Sequence, residues 1–349
     1  MRIIVSTVQV PFVRGGAEAH ANRLCEELNK AGHEAEMVAI PFRWYPPQLI
    51  MDHLMACRLL NLENSSGKSV DRVIGLKFPA YHVRHPNKVI WMLHQHRTAY
   101  ELWDHPSSDL SKTRDGVEVR DALRRADTEL LGEAEKIYTN SKTVAKRLFD
   151  YCERPGTPLY HPPPLADEHT CEGDDGYLFF PSRICGMKRQ HLVIEALATL
   201  GKNSSVKVCF SGAIDEEKYF KKLQKLVEQS GLKDRVIFPG HVSKSEFLGL
   251  YAKARAVVYT PLDEDYGYVT LESMLSKKPV ITVADTGGVM EFIDKDIGWV
   301  TEPNPEALGH ALQEAWDNVS VCAENGVAAF ERYHSLGISW ENVIEKLTR

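Results

Sequence analysis

Short apolar runs alternate with stretches of helical period along this chain, and they do so in two successive series. In the first, "RIIVSTV" reads as a strand. Past a glycine turn, "AEAHANRLCEELNKAG" spaces its apolar residues three and four apart, as one face of a helix requires, and stops at Gly32. "EAEMVAI", "DRVIGL", "KVIWML" and "EKIYTN" read as further strands, and Ser141 as the N-cap of "KTVAKRLFDY". The proline-rich "RPGTPLYHPPPLADEH" has no period and marks a boundary near residues 154–170. In the second series "YLFFPS", "VKVCFSG", "RVIFPG", "KPVITV" and "GWVTE" read as strands between helical stretches. A capping box of Ser243 and Glu246 precedes "FLGLYAKA". Strands alternating with helices fold as a parallel sheet with right-handed crossovers. Two such series predict an α/β protein of two doubly wound domains facing one another. Ligands are then expected at the carboxyl ends of the strands, in the cleft between them.

The length of 349 residues also suits two domains, and 43% hydrophobic with 26% charged residues is the composition of a globular chain. No apolar run reaches the roughly 18 residues of a membrane span. The N-terminal "MRIIVSTVQV" reads as a strand rather than a leader. Seven scattered cysteines without a C-x-x-C pair point to a reducing compartment, and against a disulfide frame or a zinc ribbon. Together these features predict a cytoplasmic protein. Charge is uneven: residues 1–165 hold 22 Lys/Arg against 20 Asp/Glu, a net of +2, and the remainder 20 against 28, a net of −8. A mildly basic first half either meets an anionic acceptor or a membrane surface, or merely reflects drift between two surfaces. The small basic groups Arg124-Arg125 and Lys142/Lys146/Arg147 are interspersed with acids and offer at most weak peripheral membrane contact at its inner face. An acidic pI of about 6.2 without a basic, aromatic-studded stripe excludes a nucleic-acid protein.

Four stretches could carry chemistry. Arg14-Gly15-Gly16-Ala17 joins the first strand to the first helix, where glycines let backbone approach a ligand and a helix N-terminus offers N–H groups to an anion. It is not G-x-G-x-x-G, so a dinucleotide fold is not supported. Arg183 and Lys188 follow a strand and precede a helix; two cations there could hold a diphosphate, one as a fork and one as a point charge, or could be surface charge. His94 and His96 lie just past the strand "VIWML" and point the same way if that strand continues through them. They either cap the strand end or act on a substrate hydroxyl or leaving group. Finally, "TPLDEDYGYVTLE" gathers acids at the mouth of a buried strand. Asp263 and Asp265 could hold magnesium or manganese on a sugar-nucleotide diphosphate. Alternatively, Gly267 ends the loop and Tyr268 starts a helix whose N-terminus favours phosphate. Glu264 and Glu272 would then flank it and bind hydroxyls, as carboxylates do with vicinal diols. A solvated acidic loop is the bland reading.

Taken in order, these stretches resemble the retaining GT-B-fold glycosyltransferases of family GT4 over nearly the whole length. Glu264-Asp265-Tyr266-Gly267 through Leu271-Glu272 is similar to the family's E-x-F-G-x-x-x-x-E, and "SRICGMK" to its S-R-x-x-x-x-K. "GGAE", "TNSKTVAKRL", "PGHVSKSEFLGLYAKA" and "TGGVMEFI" complete the resemblance. It implies two Rossmann-like domains: residues 1–164 on the acceptor side, with a C-terminal helix at 334–349 crossing back to them, and residues 165–333 binding the nucleotide sugar. It implies that Arg183 and Lys188 neutralise the donor diphosphate, with Gly15 and Gly16 and the backbone of Tyr268 and Val269 near it. Glu272 would bind ribose hydroxyls, Glu264 the donor sugar, and backbone around Val242 the base. His94 would be the active-site histidine, with His96 second. No metal or other cofactor is implied. The donor would be a UDP-, GDP- or other nucleotide sugar and the acceptor a saccharide or lipid-linked saccharide. Two domains on a thin linker would close on that donor. Three positions depart from the pattern: Arg189 stands where the family often has glycine, Tyr266 replaces phenylalanine, and Cys185 is unusual and has no assigned role. The alternatives are a nucleotide-sugar epimerase of the same architecture, a metal-dependent transferase using Asp263 and Asp265, and an inactive nucleotide-sugar-binding protein. Acceptor recognition is expected from the aromatics of "FRWYPPQL" and "HRTAYELWDHPSSDL", which could stack on sugars or pack under a long loop.

Overall fold

The first strand, β1 (Arg2–Gln9), is buried at six successive positions from Ile3 to Val8, as a parallel strand covered on both faces must be. The computed structural model describes residues 1–12, 15–240 and 242–349. After β1 come α1 (Gly16–Lys30), β2 (Glu34–Pro41), α2 (Gln48–Leu59), a small hairpin of β3 (Asn64–Ser65) and β4 (Lys68–Ser69), β5 (Arg72–Gly75) and β6 (Lys88–Met92). Then follow α3 (Gly116–Leu130), β7 (Lys136–Thr139), α4 (Lys142–Cys152) and β8 (Thr157–Pro158). The second series is β9 (Leu178–Pro181), α5 (Gln190–Thr199), β10 (Val208–Ser211), α6 (Glu217–Gln229), β11 (Val236–Ile237), α7 (Lys244–Ala252) and β12 (Ala256–Val258). It ends with α8 (Tyr268–Leu275), β13 (Val280–Val283), β14 (Gly298–Thr301), α9 (Pro305–Asp317), α10 (Val319–Ser335) and α11 (Trp340–Thr348).

Two compact units result: Met1–His161 together with Ser339–Arg349, and Pro162–Ile338. Each holds a six-stranded parallel sheet, in the orders β2-β1-β5-β6-β7-β8 and β11-β10-β9-β12-β13-β14. The anticipated α/β class and its two doubly wound sheets are therefore present. Local signals act as their chemistry requires. The Ser141 hydroxyl accepts from the Val144 N–H at 3.0 Å to start α4. Ser243 and Glu246 exchange the two bonds of a capping box, 2.7 and 3.3 Å, at the start of α7. In the first unit, α11 buries Trp340, Val343, Ile344 and Leu347 against Trp91, Tyr138 and Leu159 of that unit's core. No helix among the described residues is long and apolar enough to cross a membrane.

Candidate active site

In the second unit the chain runs from β9 outward to β10 and β11, then returns to place β12 on the other side of β9. That reversal opens a crevice at the carboxyl ends of β9 and β12, where doubly wound sheets bind ligands. Lys188 comes from the turn after β9 and Glu264 from the loop after β12. The Leu262 N–H donates to the Met187 carbonyl at 2.8 Å, binding turn and loop together. The Lys188 ammonium donates to the Tyr259 hydroxyl at 3.0 Å and to the Glu264 carboxylate. These side chains are only 13% and 25% exposed, so solvent screens the pair little. Burial works against the Lys188 charge, but Glu264 and the Tyr259 hydroxyl outweigh it and hold the ammonium above its usual range.

The Glu264 loop is fixed by the segment after β13. Glu264 donates its N–H to the Thr286 carbonyl at 3.0 Å and accepts from the Gly288 N–H at 2.8 Å. Gly287 sits at φ 67°, where a Cβ would lie 2.5 Å from the Glu264 carbonyl oxygen, so only glycine fits. This explains the "TGG" run. Arg189, one of the departures from the family pattern, takes the left-handed conformation that a glycine would supply, at φ 56°. Its guanidinium forks onto Asp285 at 2.6 and 2.8 Å and donates to the Thr260 and Pro261 carbonyls, each at 2.8 Å. One arginine thus ties the Lys188 turn to both neighbouring loops. Arg183 differs: its side chain is 55% exposed and paired with Asp215. Sequence reasoning passed over Arg189's clamp, Asp285, Tyr259 and Asp215, because each partner comes from another strand end.

Gly267, at φ 82°, turns the chain into α8, whose N-cap residue supplies no side-chain hydrogen bond. Tyr268 and Val269 form its first turn. Tyr266 is buried with its ring edge-on to Tyr268 and Phe292. Glu272, one turn into α8, is 8% exposed and accepts from the Tyr251 hydroxyl at 2.6 Å. Burial raises its carboxyl to about 7 despite that bond. Beside this crevice, past the ends of β10 and β11, lies a cavity of about 240 Å³ lined by Gly212, Gly240, Val242, Ser243 and Phe247, among others. No group of three His, Cys, Asp or Glu side chains among the described residues is placed to hold a metal ion, Asp263 and Asp265 included.

In the first unit the strand order reverses between β1 and β5. Arg14 of the glycine motif lies outside the described residues. Gly15 and Gly16 are exposed and begin α1, where the Glu18 carboxylate accepts from the Gly15 N–H at 2.8 Å. Lys77, past β5, lies 3.8 Å from the same carboxylate. His94 and His96 lie just past the strand as anticipated, but the strand does not continue through them: it stops at Met92, so pleat alternation does not direct the two rings. His94 is partly exposed, its Nδ1 2.6 Å from the Gln95 carbonyl. His96 packs against Phe42 and Phe78, and burial pushes it down to about 4. Between them, Gln95 donates to Asp127, a fully buried carboxylate. Asp127 also accepts from His82 at 2.7 Å, Tyr100 at 2.7 Å and Tyr81 at 3.2 Å. Of the anticipated acceptor aromatics, Tyr100 is thus packed inward, and Trp103 lies under the Arg120 guanidinium at 4.3 Å. Tyr45 remains exposed. The basic groups are engaged locally: Arg124 stacks on Tyr100 and Tyr151, Arg147 meets Glu101, and Lys146 meets Asp150.

Residues 165–329 match the family model "Glycosyl transferases group 1". Human alpha-1,3/1,6-mannosyltransferase ALG2 is 31% identical over 182 residues, 49% of this chain and 44% of that protein. The chain thus spans less than half the length of this curated relative. Two solved structures superpose over all of the chain and 98% of their own: sucrose-phosphate synthase from Thermosynechococcus elongatus at a TM-score of 0.76 and 16% identity, and HepE of Anabaena at 0.70 and 18%. At such identities the superpositions speak to fold alone. A sheet reversal that brings Lys188 and Glu264 together beside β9 and β12, the match over residues 165–329 and a shared pair of Rossmann-like units agree: residues 165–329 resemble the glycosyl transferases group 1, and the fold is GT-B.

Proposed function

We propose that this chain transfers a sugar from a nucleotide-diphosphate donor to a saccharide or lipid-linked saccharide acceptor, with retention of configuration and without a metal ion. The observation that carries the reading is Lys188. An ammonium has three N–H groups; Tyr259 and Glu264 engage two, and the third is available to an oxygen anion in the crevice. The start of α8 adds backbone dipoles favourable to phosphate. Lys188 with Arg183 supplies the charge that a metal would otherwise bring to a leaving diphosphate. In this reading Glu264 and Glu272 take sugar and ribose hydroxyls, and the backbone at Val242 meets the base. HepE, solved with UDP and with UDP-glucose, motivates UDP-sugars as donors to test, and the mannosyltransferase ALG2 motivates nucleotide-mannose donors, GDP- or UDP-linked. Roles for Gly15 and Gly16 at the diphosphate, and for His94 beside the sugar, come from the family resemblance.

In the proposed step the acceptor hydroxyl forms its bond to the anomeric carbon on the face from which the diphosphate departs. The bond from that carbon to the phosphate oxygen breaks, and a phosphate oxygen takes the hydroxyl proton. Lys188 and Arg183 stabilise the negative charge gathering on the leaving group. Proton NMR of the product decides the stereochemistry: the donor's anomeric configuration is expected, and an inverted product overturns the mechanism. Activity is expected to persist in excess chelator. Loss of activity that manganese restores would move the diphosphate to Asp263 and Asp265. Conversion of the donor sugar with no acceptor present would identify an epimerase.

A further inference from the structure

Among the described residues, Glu272 is a buried carboxylate with no cation against it. Tyr251 is the one side-chain donor to it among the described residues, at 2.6 Å. Two other groups bear on this place. Tyr268 stands on the same helix, and burial beside Glu272 holds its hydroxyl protonated. His169, from the segment ahead of β9, lies edge-on to the Tyr251 ring and 2.9 Å from the Ser276 hydroxyl. Burial lowers His169 to about 4, so it brings no charge near neutrality. A carboxylate so placed is half satisfied and favours a ligand bringing its own donors. Tyr251 cannot swing aside: it is fully buried, with Phe179, Phe247 and His169 edge-on at 5.0, 5.3 and 5.1 Å. Phe247, one turn earlier on α7, also lines the cavity beside Val242. One helix therefore runs from that cavity to the acid.

We infer that Tyr251 is a positioning residue for the nucleotide's ribose: it holds one oxygen of Glu272 so that the other faces the ribose diol. Through Phe247 it sets that grip at a fixed place relative to the cavity around Val242. The inference rests on the nucleotide-sugar reading above. Two hydroxyls of a vicinal diol complete the carboxylate's bonding only while it is ionised. With its carboxyl near 7, the grip strengthens as pH rises through that value. The Tyr251 bond favours the ionised form, so losing it moves the transition to higher pH.

Calorimetric titration of the full chain with UDP, GDP, ADP, CDP and their 2′-deoxy counterparts, from pH 5.5 to 8.5, tests this. The wild-type protein is expected to prefer the ribose form of whichever base it binds by about tenfold at pH 8. That preference is expected to vanish below a midpoint near 7. Tyr251→Phe keeps the ring and its packing. It is expected to cut the preference to about twofold and raise the midpoint by about one unit, while binding of the deoxy form changes less than about twofold. An unaltered ribose preference in Tyr251→Phe overturns the inference and leaves the donor reading intact. Equal weakening of both sugar forms overturns it too, because that reports a role in packing alone. Failure of the wild-type protein to bind any of UDP, GDP, ADP or CDP overturns the donor reading along with it.

Discussion

Arg189 shows how one side chain can serve backbone and site at once. Its φ of 56° is a conformation that costs an L-residue about 1–2 kcal/mol, offset here by a fork onto Asp285 and two carbonyls. Arg189→Gly is expected to lose the clamp but keep the turn, whereas Arg189→Ala loses both. Urea unfolding should therefore rank wild type above Gly and Gly above Ala, the last two about 1 kcal/mol apart. Ala equal to Gly would mean that the turn relaxes. Lys188→Ala is expected to lower nucleoside-diphosphate affinity and turnover together, turnover by about 10²–10³-fold; wild-type kinetics in that variant would remove Lys188 from the site. Lys188 and Glu264 were legible as residues, but not as a pair, since 76 positions separate them. Only the sheet order, which returns β12 to the side of β9, makes them neighbours.

At the level of elements, the site depends on loops fastened to loops. Gly287→Ala would drive a methyl into the Glu264 carbonyl, 2.5 Å away, and strain a positive φ. The expected result is lost nucleotide binding with stability reduced by about 1–3 kcal/mol, read by titration and thermal melting side by side. Undiminished binding would show that Glu264 tolerates displacement. In the first unit, Asp127 anchors the segment bearing His94 through Gln95 and Tyr100. Asp127→Ala strands several donors in a dry core and is expected to cost about 3–5 kcal/mol in chemical unfolding. The sequence carried a sign of this residue that periodicity alone did not decode. Val119, Leu123 and Asp127 stand four apart on α3, so the acid occupies the helix's buried stripe. A charge there announces a hydrogen-bond network, but its partners come from residues 81 to 100 and needed the fold. The strand and helix sequence itself was readable, because buried parallel strands and amphipathic helices leave strong periods. The end of β6 was not readable, because an apolar run does not say where pairing with its neighbours stops.

Across the molecule, the first unit's core includes two neutral histidines. The ring nitrogens of His20 and His161 meet at 2.9 Å, among Trp91 and Trp340. Burial lowers His20 to about 3 and His161 well below its ordinary value. The unfolded chain protonates both near 6.5, whereas the folded chain resists until much lower pH, so the unfolded state binds more protons between. Stability is accordingly full above about pH 6.5 and declines as pH falls toward 3, by up to about 1.4 kcal/mol per pH unit for each histidine. Unfolding free energies measured across that window should show the slope, and His161→Gln should flatten it. A flat wild-type profile would place the pair in water.

The same core has a consequence for how the protein is made. Trp340 and its helix, which complete it, are assembled by the ribosome after every residue of the second unit. A nascent polypeptide stalled before Ser339 would therefore expose Trp91 and its neighbours to chaperones while the second unit is already whole.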